Sequence, residues 1–164
     1  MKTYYIGLAA SFLLTLTAPA GAQSMPAPKE IKTRLACDRT NKIEMPPFSE
    51  DFEKVNKASY KIEFMQDNYP GQRVDGKLYP HPIYGTYVLS DYIRSYKLAG
   101  NEDEKAAYHR ALSDVTKAVL CHMEGLSNGG LAAYYDAPYV VAGQPRFYSA
   151  LTQAQYLPFI YQAG

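Results

Sequence analysis

The sequence predicts a mainly α-helical fold built from antiparallel helical hairpins, with one short β segment. Three observations lead there. Between Ile83 and Leu98, the residues Tyr84, Tyr87, Val88, Ile93 and Tyr96 recur at helical spacing with Asp91, Arg94 and Lys97 between them. From Ala107 to His122, the residues Ala107, Tyr108, Ala111, Leu112, Val115, Ala118, Val119 and His122 mark a second apolar face. Only a short link around Gly100 separates the two runs, so the helices must fold back on each other.

Met1 and Lys2 give a positive start, Ile6 to Leu16 is apolar, and Ala20-Gly21-Ala22 sets small residues before a cleavage ahead of Gln23. Residues 1–22 therefore read as a signal peptide, and the protein as periplasmic or secreted. No run after the leader reaches about 18 apolar residues, so no membrane span is expected once it is removed. Residues 23–48 form a flexible or irregular lead-in, in which a short helix over Glu30–Asn41 is stopped by Met45-Pro46-Pro47-Phe48. Residues 49–164 form the helical domain.

That domain opens with Ser49 as a helix cap and Glu50, Asp51 and Glu53 in the first turn, which predicts a helix to about Lys57. In Ser59–Met65, Tyr60, Ile62 and Phe64 alternate with Lys61 and Glu63, the period of a half-buried strand. Asn68–Pro82, rich in Pro and Gly, reads as a loop ending in the rigid Tyr79-Pro80-His81-Pro82. Gly100 is placed as the C-terminal cap of the first long helix, and Asn101 with Glu104 as the capping box of the second, which Gly125 ends. Ser127–Gly130 is a turn, and Leu131–Val141 an extended aromatic segment with a short hairpin leading to Arg146. The last helix carries Tyr148, Leu151, Gln155 and Phe159 on one face, with Ser149, Gln153 and Tyr156 elsewhere on its circumference. Helix pair, decorated loop and helix together form the pattern of an alpha/alpha toroid, of which residues 49–164 would be the first part.

Seventeen basic residues less Lys2 leave 16 against 16 acidic ones after the leader, scattered singly. Such a balance argues against nucleic acid, whose phosphates need clustered Lys and Arg. Of 16 Tyr, 14 lie beyond Tyr4 and Tyr5, and Trp is absent; tyrosine offers a flat face for sugar rings and a hydroxyl for theirs. The even pair Cys37 and Cys121 in an exported chain predicts one disulfide. His81, His109 and His122 are not at ligand spacing with the cysteines, so no metal site is expected, and no cofactor motif is present. Asp136 with Asp91 or Glu124 could in principle pair for glycoside hydrolysis, but nothing in the sequence sets their separation.

The stretch Arg146–Gly164 carries Tyr148-Ser149-Ala150 followed by Gln153-Ala154-Gln155. It resembles the Tyr-Ser-Ala-Met-Ala-Gln-Gly-Gln motif in the C-terminal domain of the D-glucuronyl C5-epimerases. The resemblance covers about the last forty residues, with helix-by-helix agreement back to about Pro80. Phe147 stands where that family usually has Trp, and Ala154 where it has Gly. The resemblance implies a protein acting on an acidic, uronic-acid-containing polysaccharide.

Epimerisation at C5 takes a proton from one face of the ring and returns one to the other, so it needs two acid/base groups and neutralisation of the intermediate. Near the motif, Tyr134, Tyr135, Arg146, Tyr148 and Gln153 are the expected substrate-binding residues, with Arg146 as carboxylate fork or, alternatively, in a surface ion pair. Catalytic residues are not assigned. The resemblance places the family's catalytic tyrosines well beyond the motif, and a full toroid needs on the order of 300 residues. The chain is therefore expected to be a fragment or truncated member, inactive alone, with Leu157, Phe159 and Ile160 left uncovered and self-association as the outcome. The alternatives are a small Tyr-rich domain that binds a glycan or an envelope protein, and part of a toroid lyase or hydrolase.

Overall fold

The computed structural model describes Cys37, residues 42–140, Gln144 and residues 146–163. The expected signal peptide and, apart from Cys37, the helix expected over Glu30–Asn41 lie outside the described residues. The fold is helix-rich and mixed, with four α-helices and a small antiparallel sheet among the described residues.

Helix α1 (Glu50–Val55) begins at the expected cap, where the Ser49 hydroxyl accepts the Phe52 N–H at 3.4 Å and three acidic residues fill the first turn. It does not continue to Lys57 as an α-helix. Asn56–Tyr60 widens into a π-helical turn that Asn56 closes: its carbonyl accepts Lys61 N–H at 2.7 Å, and its side-chain oxygen accepts Ile62 N–H at 2.8 Å. Lys61 then takes a left-handed conformation, φ 53°, and launches the sheet.

Strands β1 (Ile62–Phe64), β2 (Pro70–Val74) and β3 (Lys77–Pro80) pair antiparallel in that order. The expected strand is thus shorter than Ser59–Met65, and the expected loop over Asn68–Pro82 is mostly a hairpin. Asp75-Gly76 makes it, both with positive φ (48° and 78°), the twist that lets two strands close over two residues. The prolines do not interfere, because Pro70 opens β2 and Pro80 ends β3, an edge strand. Arg73 reaches Glu63 on β1 with two hydrogen bonds, 2.9 and 2.5 Å long.

Helices α2 (Pro82–Leu98) and α3 (Glu102–His122) form the expected hairpin; α3 buries most of its expected stripe, whereas on α2 the expected Tyr96 is exposed and Leu89, Asp91 and Tyr92 are buried instead. Val88, Leu89 and Tyr92 of α2 meet Ala111, Val115 and Val119 of α3 at zero exposure. Asn101 accepts Glu104 N–H at 2.8 Å, as a capping box requires. Gly100, however, is not a left-handed cap; its N–H donates to Glu104 Oε2 at 2.9 Å, so the box closes one residue early. Across the other side runs the segment before α1, tied down by Tyr92 and Tyr108 hydroxyls donating to the carbonyls of Pro46 (2.9 Å) and Pro47 (3.0 Å).

After α3, β4 (Glu124–Gly125) and β5 (Leu131–Ala132) form a short hairpin across the Ser127–Gly130 turn, earlier than the one expected within Leu131–Val141, and α4 (Ala150–Ala163) packs chiefly on α2. The face α4 turns inward differs from the one expected. Thr152 and Tyr156 are buried with Phe159 and Ile160 beside them, while Leu151 is 61% exposed. Gly85 explains the choice: without a Cβ it leaves a slot on α2 that the Tyr156 ring fills, its hydroxyl donating to the Pro82 carbonyl. Next to it the Thr86 hydroxyl meets Gln155 Oε1 at 2.9 Å. Pro158 sits on the solvent side of α4, where water can satisfy the carbonyl it leaves unpaired.

Cys37 and Cys121 are bonded, with Cα atoms 5.5 Å apart. No helix among the described residues is long and apolar enough to cross a membrane.

Candidate functional site

Three of the five expected binding residues converge on one exposed patch, together with an acid the sequence reading had not placed there. Arg146 contacts Glu124 at 2.8 Å, and its guanidinium lies 4.3 Å from the centre of the Tyr134 ring. The Tyr148 hydroxyl donates to the same Glu124 carboxylate. The β4–β5 hairpin positions Glu124, and the segment entering α4 positions Arg146 and Tyr148. The hydrogen bond that Arg146 donates to Glu124 raises the guanidinium above its ordinary pKa, and the separate bond that Tyr148 donates to the same carboxylate raises the phenol. The alternative of a surface ion pair for Arg146 is thus realised, and its fork is already partly occupied.

The other two expected residues serve the scaffold. Gln153 spends both ends of its amide on one backbone position, Oε1 accepting Ala133 N–H at 3.0 Å and Nε2 donating to the Ala133 carbonyl at 2.5 Å. Tyr135 is buried, its ring stacked on Phe147 at 4.7 Å and its hydroxyl 3.0 Å from Thr152 Oγ1. A pair of backbone bonds between Tyr135 and Phe147, each 2.9 Å, ties Tyr135 to the segment entering α4. The motif therefore acts as a latch: Ser149 caps α4 through Thr152 N–H at 3.3 Å, Gln153 holds Ala133, and Gln155 docks on α2. The latch holds Ala133 and Tyr135, on either side of Tyr134, against α4 and the segment entering it.

A second cluster was missed. His81, between Pro80 and Pro82 at the head of α2, stacks on Tyr84 at 4.0 Å and meets Tyr139 edge-on at 4.6 Å and Tyr135 at 5.6 Å. Burial lowers its pKa to about 4 and pushes Tyr139 up to about 12, so both are neutral near pH 7. His81 Nδ1 and the Tyr139 hydroxyl are buried without a hydrogen-bond partner among the described residues. The rigid Pro-His-Pro run was the available signal; the tyrosines that surround it arrive from α2 and from the later loop.

The acids weighed for a hydrolytic pair are separately engaged. Asp91 accepts the Ser49 N–H at 3.0 Å and the Ser49 hydroxyl, while Asp136 borders a narrow crevice with Tyr69, His122 and Tyr134. His122 turns away from the disulfide beside it, meeting Asp67 at 2.5 Å and stacking on Tyr69 at 4.2 Å. No group of three or more His, Cys, Asp or Glu among the described residues is placed to hold a metal ion. No family model matches the chain, and neither a curated protein nor a solved structure matches it significantly.

Proposed function

We propose that the chain is part of an exported polysaccharide-handling protein of the uronic-acid C5-epimerase type, and that its own role is to hold an acidic glycan. The α2–α3 hairpin, the latched loop and α4 are, in this reading, the opening helices of an alpha/alpha toroid. The convergence of Arg146, Tyr134 and Tyr148 on one exposed patch carries the proposal. A guanidinium backed by an aromatic ring provides a carboxylate fork and a stacking face side by side. The patch has no two free acid/base groups facing each other across a sugar, so the chain binds without exchanging the C5 hydrogen.

Because Glu124 competes with a ligand carboxylate for Arg146, the two residues make opposite predictions. Arg146→Ala weakens binding of a heparosan-like or alginate-like polymer by about tenfold, whereas Glu124→Gln frees the fork and tightens it several-fold. Titration calorimetry at low salt reads both. Equal binding by wild type and Arg146→Ala overturns the site, and deuterium exchange into the polymer overturns the division between binding and chemistry.

A further inference from the structure

Helices α1 and α2 enclose an open groove of about 390 Å³, on elements other than those that build the Arg146 patch. Its apolar end is made by Phe52, Tyr60 and Tyr87; the Tyr60 and Tyr87 ring centres lie 4.9 Å apart, and those of Phe52 and Tyr60 lie 6.2 Å apart. Its other end holds Arg94, seven residues beyond Tyr87 on α2 and so about 10 Å farther along the axis, with Asp51 on α1. Arg94 and Asp51 are exposed, and neither has an ion pair or side-chain hydrogen bond with any described residue. A second cleft of about 310 Å³ shares both residues, so the guanidinium is open from two sides.

The groove is built rigidly. Ser49 fastens the start of α1 to Asp91 of α2 through its N–H and its hydroxyl. The π-helical turn, closed by Asn56, sets Tyr60 against Tyr87 instead of letting α1 run on. Departures of this kind from the α-helix are concentrated at functional sites. Two opposite charges left without partners at one end of an aromatic floor are complementary to a ligand with both charges and an apolar side chain. An acidic glycan fits poorly, because Asp51 and Asp91 flank the single guanidinium.

We propose that this groove binds a short zwitterionic peptide. Its C-terminal carboxylate lies on Arg94, its ammonium on Asp51, and an aromatic or aliphatic side chain on the Phe52, Tyr60 and Tyr87 floor. Two residues of extended chain span about 7 Å, and a side chain extends the reach toward Tyr87. The site is independent of the glycan patch, and neither proposal depends on the other.

The test is an NMR titration of the disulfide-bonded chain with alanyl-phenylalanine, its C-terminal amide and its N-acetyl form. The free dipeptide should saturate shifts at Tyr87 and Arg94, and each blocked form should bind about tenfold more weakly or worse. Arg94→Gln should lose the preference for the free carboxylate, while Arg146→Ala leaves it intact. Alike binding of free and amidated peptide, no saturation by about 10 mM, or displacement at the same amides by an acidic oligosaccharide would each overturn the proposal. The blocked peptides leave the protein untouched, so the answer stands even if Arg94→Gln fails to fold.

Discussion

His81, packed against the rings of Tyr84, Tyr135 and Tyr139, carries the clearest pH response among the described residues. With its pKa lowered by burial from 6.5 to about 4, the unfolded chain takes a proton that the folded chain refuses. Its stabilising contribution is whole above the unfolded value near 6.5 and is lost as pH falls toward 4. Asp67 works in the same direction at lower pH. Burial pushes its carboxyl up, but the His122 hydrogen bond and the Tyr69 N–H together hold it below the usual 3.8, so its contribution fades as pH falls below that value. Urea midpoints recorded from about pH 7 to pH 4 should fall for wild type and stay flatter for His81→Gln; parallel profiles would remove the histidine's role. At Gly85 the constraint is space. An added Cβ would strike the Tyr156 hydroxyl and sit 2.9 Å from Val119 Cγ2, so Gly85→Ala should cost about 2–3 kcal/mol in a chemical melt.

At the level of elements, Ser49 both caps α1 and satisfies the carboxylate of buried Asp91. Ser49→Ala removes both functions at once and should destabilise by about 2 kcal/mol, read as a lower melting temperature by calorimetry. A cap alone was legible in the sequence; its second partner, 42 residues away, was not. The same division runs through the fold. α2, α3 and the Asn101–Glu104 box could be read because their signals are local and repeat along one face. The β2–β3 hairpin could have been read from Asp75-Gly76, but three prolines nearby argued for a loop, and their tolerance depends on β3 being an edge. The inward face of α4 could not be read from α4 itself, since the glycine that selects Tyr156 over Leu151 belongs to α2.

Over the whole molecule, the expected site was legible as a set of residue types but not as a division of labour. Tyr134, Arg146 and Tyr148 come together, whereas Tyr135 and Gln153 hold the loop, because which polar groups meet backbone is settled only by packing. The outer face of α4 leaves Leu151, Leu157 and Tyr161 exposed at 61%, 74% and 88%, on a helix without a single charged residue. Nothing there repels a second copy, so sedimentation should show association rising with concentration, and Leu157→Glu should abolish it. The disulfide joins residues 84 apart, and on the chain-entropy model its reduction should cost about 4 kcal/mol, seen as a lower urea midpoint in reductant. It also settles how the protein would bear a load. If a tethered polymer pulls on the two ends of the chain, tension enters at Cys37, crosses the sulfur bridge and leaves through Cys121. The three-stranded sheet, α1, α2 and nearly all of α3 lie inside a covalent ring that carries no stress, and among the described residues it is the segment from His122 onward that pays out, at about 3.5 Å per residue. Under tension the β4–β5 hairpin and α4 would therefore yield first, so the Arg146 patch would come apart while the groove between α1 and α2 stayed whole.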